Sequence, residues 1–434
     1  MLDLIIKNGS CYIDNDLKEY DIAIKDNKIV EIGKINSDAN KIVDATGLTV
    51  LPGCIDTQVH FREPGSTDAE DLHSGSRAAI AGGITSVFEM PNTNPPTSSK
   101  IEFNKKLKLA KNRMYCNYAF YFGATPDNQE ELSSLGDLEA CCGVKLFAGS
   151  STGNLLVQHE ADIEKVFKST SKIVSVHSED EEILNMRKKL IKEGDVHTHP
   201  LWRDVECALS STRRIVRIAE RYKKKAHILH VTTKEEIDFL SQHKGNITFE
   251  ITPQHLTFFA PDCYDKLGSY AQMNPPLRDK SHYDRIWYGV RNNLPDIIGS
   301  DHAPHLKENK EKIYPNSPSG MPGVQTLVPV MLDHVNNGKL TLKQFIDFVC
   351  VNPIKIFGIK NKGFIKKGYD PDFTIVDMNK KILIKNKNIE SKCKWSPFND
   401  MEFKGTPIFT IINGEIKMRE GKILGDPSGK PLVF

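Results

Sequence analysis

The 434-residue sequence has no stretch approaching 18 apolar residues, no long run of like charge and no Cys-x-x-Cys pair. The first absence leaves no segment suited to a membrane-spanning helix. Lys+Arg 58 stand against Asp+Glu 56, a formal net charge of +2, with only short clusters such as Lys223-Lys224-Lys225. That balance argues against nucleic acid or a membrane surface as the main partner. The nine cysteines are odd in number and scattered, and Cys141 and Cys142 are adjacent. A disulfide framework is therefore not expected, and reduced, buried thiols are. The opening residues, MLDLIIKNGSCYIDND, show no basic region followed by a long apolar stretch. The expectation is a soluble cytoplasmic protein.

What is present changes style twice along the chain. Residues 2 to about 50 read as short strands with turns, as in LIIKNGSCYI, DIAIKDNKIVEIG and KIVDATGLTVLPG. The same style returns from about 366 in PDFTIVDM, KILIK, PIFTIINGEIKM and GKILG. Residues 1–51 and 366–434 are therefore expected to build one split β-sandwich domain. Between them, residues 52–365 alternate short apolar runs with helical stretches. The runs are the segment ending at His60, then TSVFEMPN, YAFYFGA, GVKLFAGS, KIVSVHSED, AHILHVTT, ITFEITP and DIIGSDHAPH. Eight strands alternating with helices are the pattern of an α/β fold of the (β/α)₈ TIM-barrel type.

Two helices are legible in more detail. Thr67-Asp68-Ala69-Glu70 has the form of a capping box, with Leu72, Ala79 and Ile80 on the following stripe and Gly82-Gly83 as the stop. A second helix is expected from about Arg203 to Tyr222, carrying Val205, Leu209, Ile215, Val216 and Ala219 on one face.

In a barrel the C-terminal strand ends meet in one mouth. Here they carry Gln58 and His60 on the first strand, Lys145 on the fourth, His177 on the fifth, His230 on the sixth and Asp301 on the eighth. A lone histidine at a strand end is usually a hydrogen-bonded rim residue. Convergence of imidazoles and a carboxylate on one pocket is instead how a barrel builds a hydrolytic zinc site. Arg62 and the Pro64-Gly65 turn follow directly, a layout that opens such a site onto an anion pocket.

The segments DTQVHFREPG, VFEMPNTNPPT, VKLF, VSVHSED, ILHVTT, QMNPPLR, GSDHAPH and SGMPGVQTLVP occur in order over nearly the whole chain. Together they resemble the dihydroorotases of the amidohydrolase superfamily, in the branch with a lysine on the fourth strand. The resemblance implies reversible cyclisation of N-carbamoyl-L-aspartate to L-dihydroorotate, by zinc-activated hydroxide with Asp301 as general acid and base. It implies one or two Zn²⁺, with His60 and Asp301 on one metal, His177 and His230 on the other, and a carboxylated Lys145 bridging them. It further implies substrate contacts from Arg62, Asn92, Asn274 and His305, and a homodimer or higher homo-oligomer with an association to aspartate carbamoyltransferase in view.

The departure from that pattern is Gln58, which stands where the first histidine of H-x-H is expected. A neutral amide oxygen is a weaker zinc ligand than imidazole, so Gln58 is read as a weak ligand and the metal beside it as loosely held. Residues 306–323, LKENKEKIYPNSPSGMPG, are read as a lid or substrate-contacting loop. Gly320 and Gly323 would permit close backbone approach there, and the lysines would form a solvated face. His73, His159, His197, His199, His227 and His255 are assigned to structure or surface, and Phe88, Met90, Phe120 and Phe147 to packing. Two alternatives stand beside the main reading. One is a hydantoinase or dihydropyrimidinase-like cyclic amidohydrolase, which would give Arg62 no task. The other is an inactive homologue serving as a scaffold for aspartate carbamoyltransferase.

Overall fold

The computed structural model describes residues 1–434 except Thr152 and Asn154. All eight apolar runs of the middle region form strands: β1 (Cys54–Val59), β2 (Ile84–Glu89), β3 (Asn117–Gly123), β4 (Cys141–Phe147), β5 (Val174–His177), β6 (Ala226–Ile228), β7 (Ile247–Ile251) and β8 (Ile297–Ile298). Their residues are buried on both faces almost throughout, as parallel strands covered by helices must be. The eight lie side by side in sequence order, every pair parallel. The ring closes beyond the short β8, where Val59 bridges His302. There His60 N–H donates to His302 O at 2.7 Å, and His302 N–H to Gln58 O at 3.3 Å. The strand ends carrying Gln58, His60 and Asp301 are thereby fixed side by side.

The two chain ends build one β unit, hydrogen-bonded as a single mixed sheet of nine strands. Strand Leu2–Ile13 lies at its centre, antiparallel to Asp16–Lys25 and parallel to both Ala39–Asp44 and Thr49–Pro52. A register shift between Ile6 and Gly9 lets this one strand serve those two different neighbours. The halves join where Thr49–Pro52 pairs with Phe373–Leu383, Val50 opposite Ile375. Leu4, Ile6, Ile24, Val50, Phe373, Ile375 and Ile411 share one core there.

Helix α1 spans Leu72–Ala81, and its cap differs from the expectation. Asp71 is the N-cap, accepting from Ser74 N–H at 2.7 Å, and Ser74 completes the capping box. The Thr67–Glu70 box does not form because Glu70 is wholly buried and engaged elsewhere, accepting from the Ser74 and Ser391 hydroxyls. Helix α2 (Val205–Arg221) begins two residues later than expected, with Leu209, Ile215, Val216 and Ala219 on its buried face, Val205 only half-buried at its first turn, and Asp204 capping Cys207 N–H at 2.9 Å. All nine cysteines are free and buried. No helix among the described residues is long and apolar enough to cross a membrane.

Candidate active site

Gln58, His60, Arg62, Asn92, Lys145, His177, His230, Asn274 and Asp301 all line one pocket at the barrel mouth. Its free space of about 20 Å³ has room for an ion or a water, not for a ring. An adjoining cavity of about 340 Å³ is lined by His305, Pro304, Ser66 and Asp68, and Arg62 and Asn92 border both spaces. The residues singled out at the strand ends are thus brought together. Three of them, Arg62 (φ +61°), His230 (φ +39°) and Asp301 (φ +44°), sit in the left-handed region. For non-glycine residues this is a strained conformation that the surrounding packing must hold.

On one side of the pocket, His177 Nδ1 and His230 Nε2 face each other at 3.2 Å. His177 Nε2 donates to Glu179 at 2.8 Å, which leaves the lone pair on Nδ1. Burial opposes the charge of Glu179, yet Arg203 and His177 hold its carboxyl down to about 2. Burial also lowers both imidazoles, His230 well below its usual value, so they are neutral donors.

Opposite, His60 Nδ1–H donates to Asn92 Oδ1 at 2.8 Å, freeing Nε2, which lies 3.3 Å from Asp301 Oδ1. Gln58 Nε2 donates to the same oxygen at 3.0 Å. Gln58 therefore faces Asp301 with its amide N–H₂, and its Oε1 is buried without a partner among the described residues. Burial pushes the Asp301 carboxyl up to about 6. Asp301 Oδ2 makes no hydrogen bond among the described residues and is the oxygen left for other chemistry.

Lys145 is 1% exposed. Its ammonium nitrogen stands 4.5 Å from the centroid of the Phe147 ring and makes no hydrogen bond among the described residues. Burial pushes it down to about 7, against the opposing charges of Asp301 and Glu250. Phe147, assigned to packing, is both buried and a wall of the pocket.

At the rim, Arg62 Nε donates to Pro304 O at 3.2 Å, and Nη2 lies 3.3 Å from His305 Nε2. Arg62 Nη1 has no hydrogen-bond partner among the described residues. Asn274 Oδ1 accepts from His199 Nε2 at 3.0 Å, so His199 is a buried support for a pocket residue. Ser319 and Gly320, from the segment after β8, complete the wall. A Cβ on Gly320 (φ +139°) would lie 2.7 Å from Ala303 O, and one on Gly323 2.8 Å from Ser300 O, so both close approaches require glycine.

No three His, Cys, Asp or Glu side chains among the described residues form a ready-made metal cluster. The donor types nevertheless fit a divalent cation: the His177–His230 pair, the His60–Asp301 pair and Gln58, whose Oε1 is unbonded among the described residues, all line the one pocket. Sequence reading missed Glu179 and Arg203. Glu179 stands two residues after His177, the spacing that returns a side chain to the same face of an extended segment, and that was its only signal.

A model of the Amidohydrolase family matches residues 49–417. The chain is 35% identical to a protein named dihydroorotase from Methanosarcina acetivorans, over 98% of this chain and 94% of that one. It is also 35% identical to one so named from Pyrococcus furiosus, over 99% and 96%. Among solved structures, the L-hydantoinase (dihydropyrimidinase) of Arthrobacter aurescens superposes with a TM-score of 0.94 at 28% identity, covering 98% of both chains. A D-hydantoinase gives 0.91 at 26%, covering 99% of this chain and 98% of that one.

Proposed function

The chain belongs to the amidohydrolase family, and from that premise we propose that it acts as a dihydroorotase, interconverting L-dihydroorotate and N-carbamoyl-L-aspartate in pyrimidine synthesis. The observation that carries this reading over a hydantoinase is Arg62. It is a buried guanidinium bordering both cavities, with Nη1 unbonded among the described residues. Dihydroorotate bears a carboxylate beside its reacting amide, which a guanidinium receives through parallel hydrogen bonds. Hydantoin and dihydrouracil lack that group and would leave Arg62 Nη1 without an acceptor among the described residues.

We assign zinc to the pocket, held by His177 and His230 with Lys145 on one side and by His60 and Asp301 on the other. Zinc bound there supplies an acidified water and polarises the amide carbonyl. Lys145, unbonded and pushed down to about 7, is present in part as the neutral amine near neutral pH, the form that can add carbon dioxide. The resulting carbamate offers two oxygens where an ammonium would repel the cation. Asp301 keeps Oδ1 fixed by Gln58 and uses Oδ2 to take a proton from the attacking water and return it to the leaving ring nitrogen. Asn92 and Asn274, both lining the pocket, are assigned to contact the ring.

Ring closure turns a free carboxylate into an amide and consumes a proton, so each unit of falling pH favours the ring about tenfold. Purified, zinc-loaded protein is expected to open dihydroorotate at alkaline pH and to close carbamoyl aspartate at acidic pH. Faster turnover of dihydrouracil than of dihydroorotate would overturn the assignment in favour of the hydantoinase reading. Absence of both tight metal and turnover would favour a scaffold for aspartate carbamoyltransferase.

A further inference from the structure

The segment after β8 was expected to carry its lysines on a solvated face, and one of them is not there. Helix α3 (Lys307–Lys310) is a single turn that ends on Lys310, whose side chain is wholly buried. Lys310 Nζ donates to three backbone carbonyls, Pro318 at 2.8 Å, Gln272 at 3.1 Å and Gly320 at 3.2 Å. An ammonium has three N–H groups, and each finds an acceptor. A carboxylate partner, the usual companion of a buried lysine, is absent among the described residues. The charge is spent instead on gathering main chain.

The main chain it gathers is the wall of the substrate pocket. Gly320 lines that pocket, and its N–H donates to Gln272 O at 2.9 Å. Gln272 Nε2 reaches Ser319 Oγ at 3.0 Å, and Ser317 Oγ donates to Gln272 Oε1 at 2.7 Å. Ser319 lies in the chain between Pro318 and Gly320, two of the three residues whose carbonyls Lys310 holds, and its own carbonyl meets His305 Nε2 at 2.9 Å. His305 in turn lies against the Arg62 guanidinium. On the other flank the Lys310 nitrogen stands 5.7 Å from the centroid of the Trp395 ring, whose Nε1–H donates to His305 O at 2.7 Å. Lys310 therefore touches both supports of His305 without reaching the pocket itself.

We propose that Lys310 is a positioning residue for substrate discrimination: by holding the carbonyls of Gln272, Pro318 and Gly320 it fixes Ser319 against His305 and so sets the Arg62 side of the pocket that receives the ring carboxylate. The inference rests on the dihydroorotase reading. Without the ammonium, three buried carbonyls lose their donor, and the segment relaxes to find others. The expected loss falls on recognition of the carboxylate, because the groups that do the bond-breaking stand on strand ends that Lys310 does not contact.

The test compares Lys310→Met, which keeps the bulk and removes the charge, with Lys310→Arg, which keeps the charge. Steady-state kinetics on dihydroorotate and dihydrouracil are combined with amide hydrogen exchange over residues 311–323. Lys310→Met is expected to raise KM for dihydroorotate about tenfold with kcat little changed. Its preference for dihydroorotate over dihydrouracil should shrink by a similar factor, with faster exchange at Asn316 and Gly320. Lys310→Arg should recover part of the preference, and it carries the test if the methionine variant does not fold. An unaltered preference in a folded variant overturns the inference, as does a parallel fall of kcat for both substrates with lowered thermal stability. Failure of the unsubstituted enzyme to open dihydroorotate is a different result, since it removes the functional reading and this inference together.

Discussion

At the scale of single residues, the site divides into groups that sequence could name and groups that only packing reveals. Arg62 could be placed in the pocket from sequence because it follows the H-x-H position at the end of the first strand. Arg62→Ala should raise KM for dihydroorotate by about 10- to 100-fold, the worth of charge-assisted hydrogen bonds, with a smaller effect on kcat, measured by steady-state kinetics. Lys145→Ala should lose metal and activity together and regain part of both when acetate occupies the emptied space, followed by metal analysis beside the assay. Carbon-13 labelling of the enzyme in carbon dioxide tests the carbamate directly, and an unmodified Lys145 in active, metal-loaded protein would refute it. Gln58 was legible as an anomaly but not as a donor to Asp301, because strand periodicity gives a face and not a hydrogen-bond direction. Zinc titration of the metal-free protein should find one strong equivalent and a weaker second, and Gln58→His should tighten the second by adding an imidazole. Two tight equivalents in the unsubstituted protein would show that the amide does not weaken the site.

At the scale of elements, the eight strand positions were all readable, since each is a short apolar run bounded by polar residues. The exact start of α1 was not. Two boxes compete for the cap, Thr67 with Glu70 and Asp71 with Ser74, and Glu70 is drawn out of the first by Ser391, which is more than three hundred residues away in sequence and supplies it with a buried partner. Asp71→Ala should destabilise the protein by about 1 kcal/mol, seen as a lower urea midpoint with an unchanged slope. Thr67→Ala should be close to silent in the same measurement, the opposite of what the sequence pattern alone implies. The segment after β8 could be placed beside the pocket from its position and its glycines, and Ser319 and Gly320 do line it. Its one buried lysine was indistinguishable in sequence from its exposed ones, because nothing local to Lys310 supplies the three carbonyls.

At the scale of the whole molecule, burial of neutral imidazoles shapes the response to acid. His199, His255 and His334 are each pushed down to about 3 by burial. In the unfolded chain they take up protons near pH 6.5. Between about 3 and 6.5 the unfolded state therefore binds more protons, and stability falls as pH falls through that window. The contribution is complete above about 6.5 and declines by up to about 1.4 kcal/mol per pH unit for each histidine. Urea midpoints should drop steadily from pH 7 to pH 5. His334→Gln, at a site packed on Trp287 and away from the pocket, should flatten that slope, and an unchanged slope would refute the assignment.

The pairing of Thr49–Pro52 with Phe373–Leu383 also sets a timetable for synthesis. The first strands can pair with each other as soon as they leave the ribosome, whereas Val50 waits for Ile375. At ~5–20 residues per second, the roughly 320 intervening residues take about 15 to 65 s to appear. During that interval the apolar edge Thr-Val-Leu-Pro has no neighbour on one side, and the barrel must be made before the sheet that precedes it in sequence can close. Nascent chains arrested before Phe373 should accordingly remain open to protease around residues 49–52 and recruit chaperones there, and chains released beyond Ile412 should not.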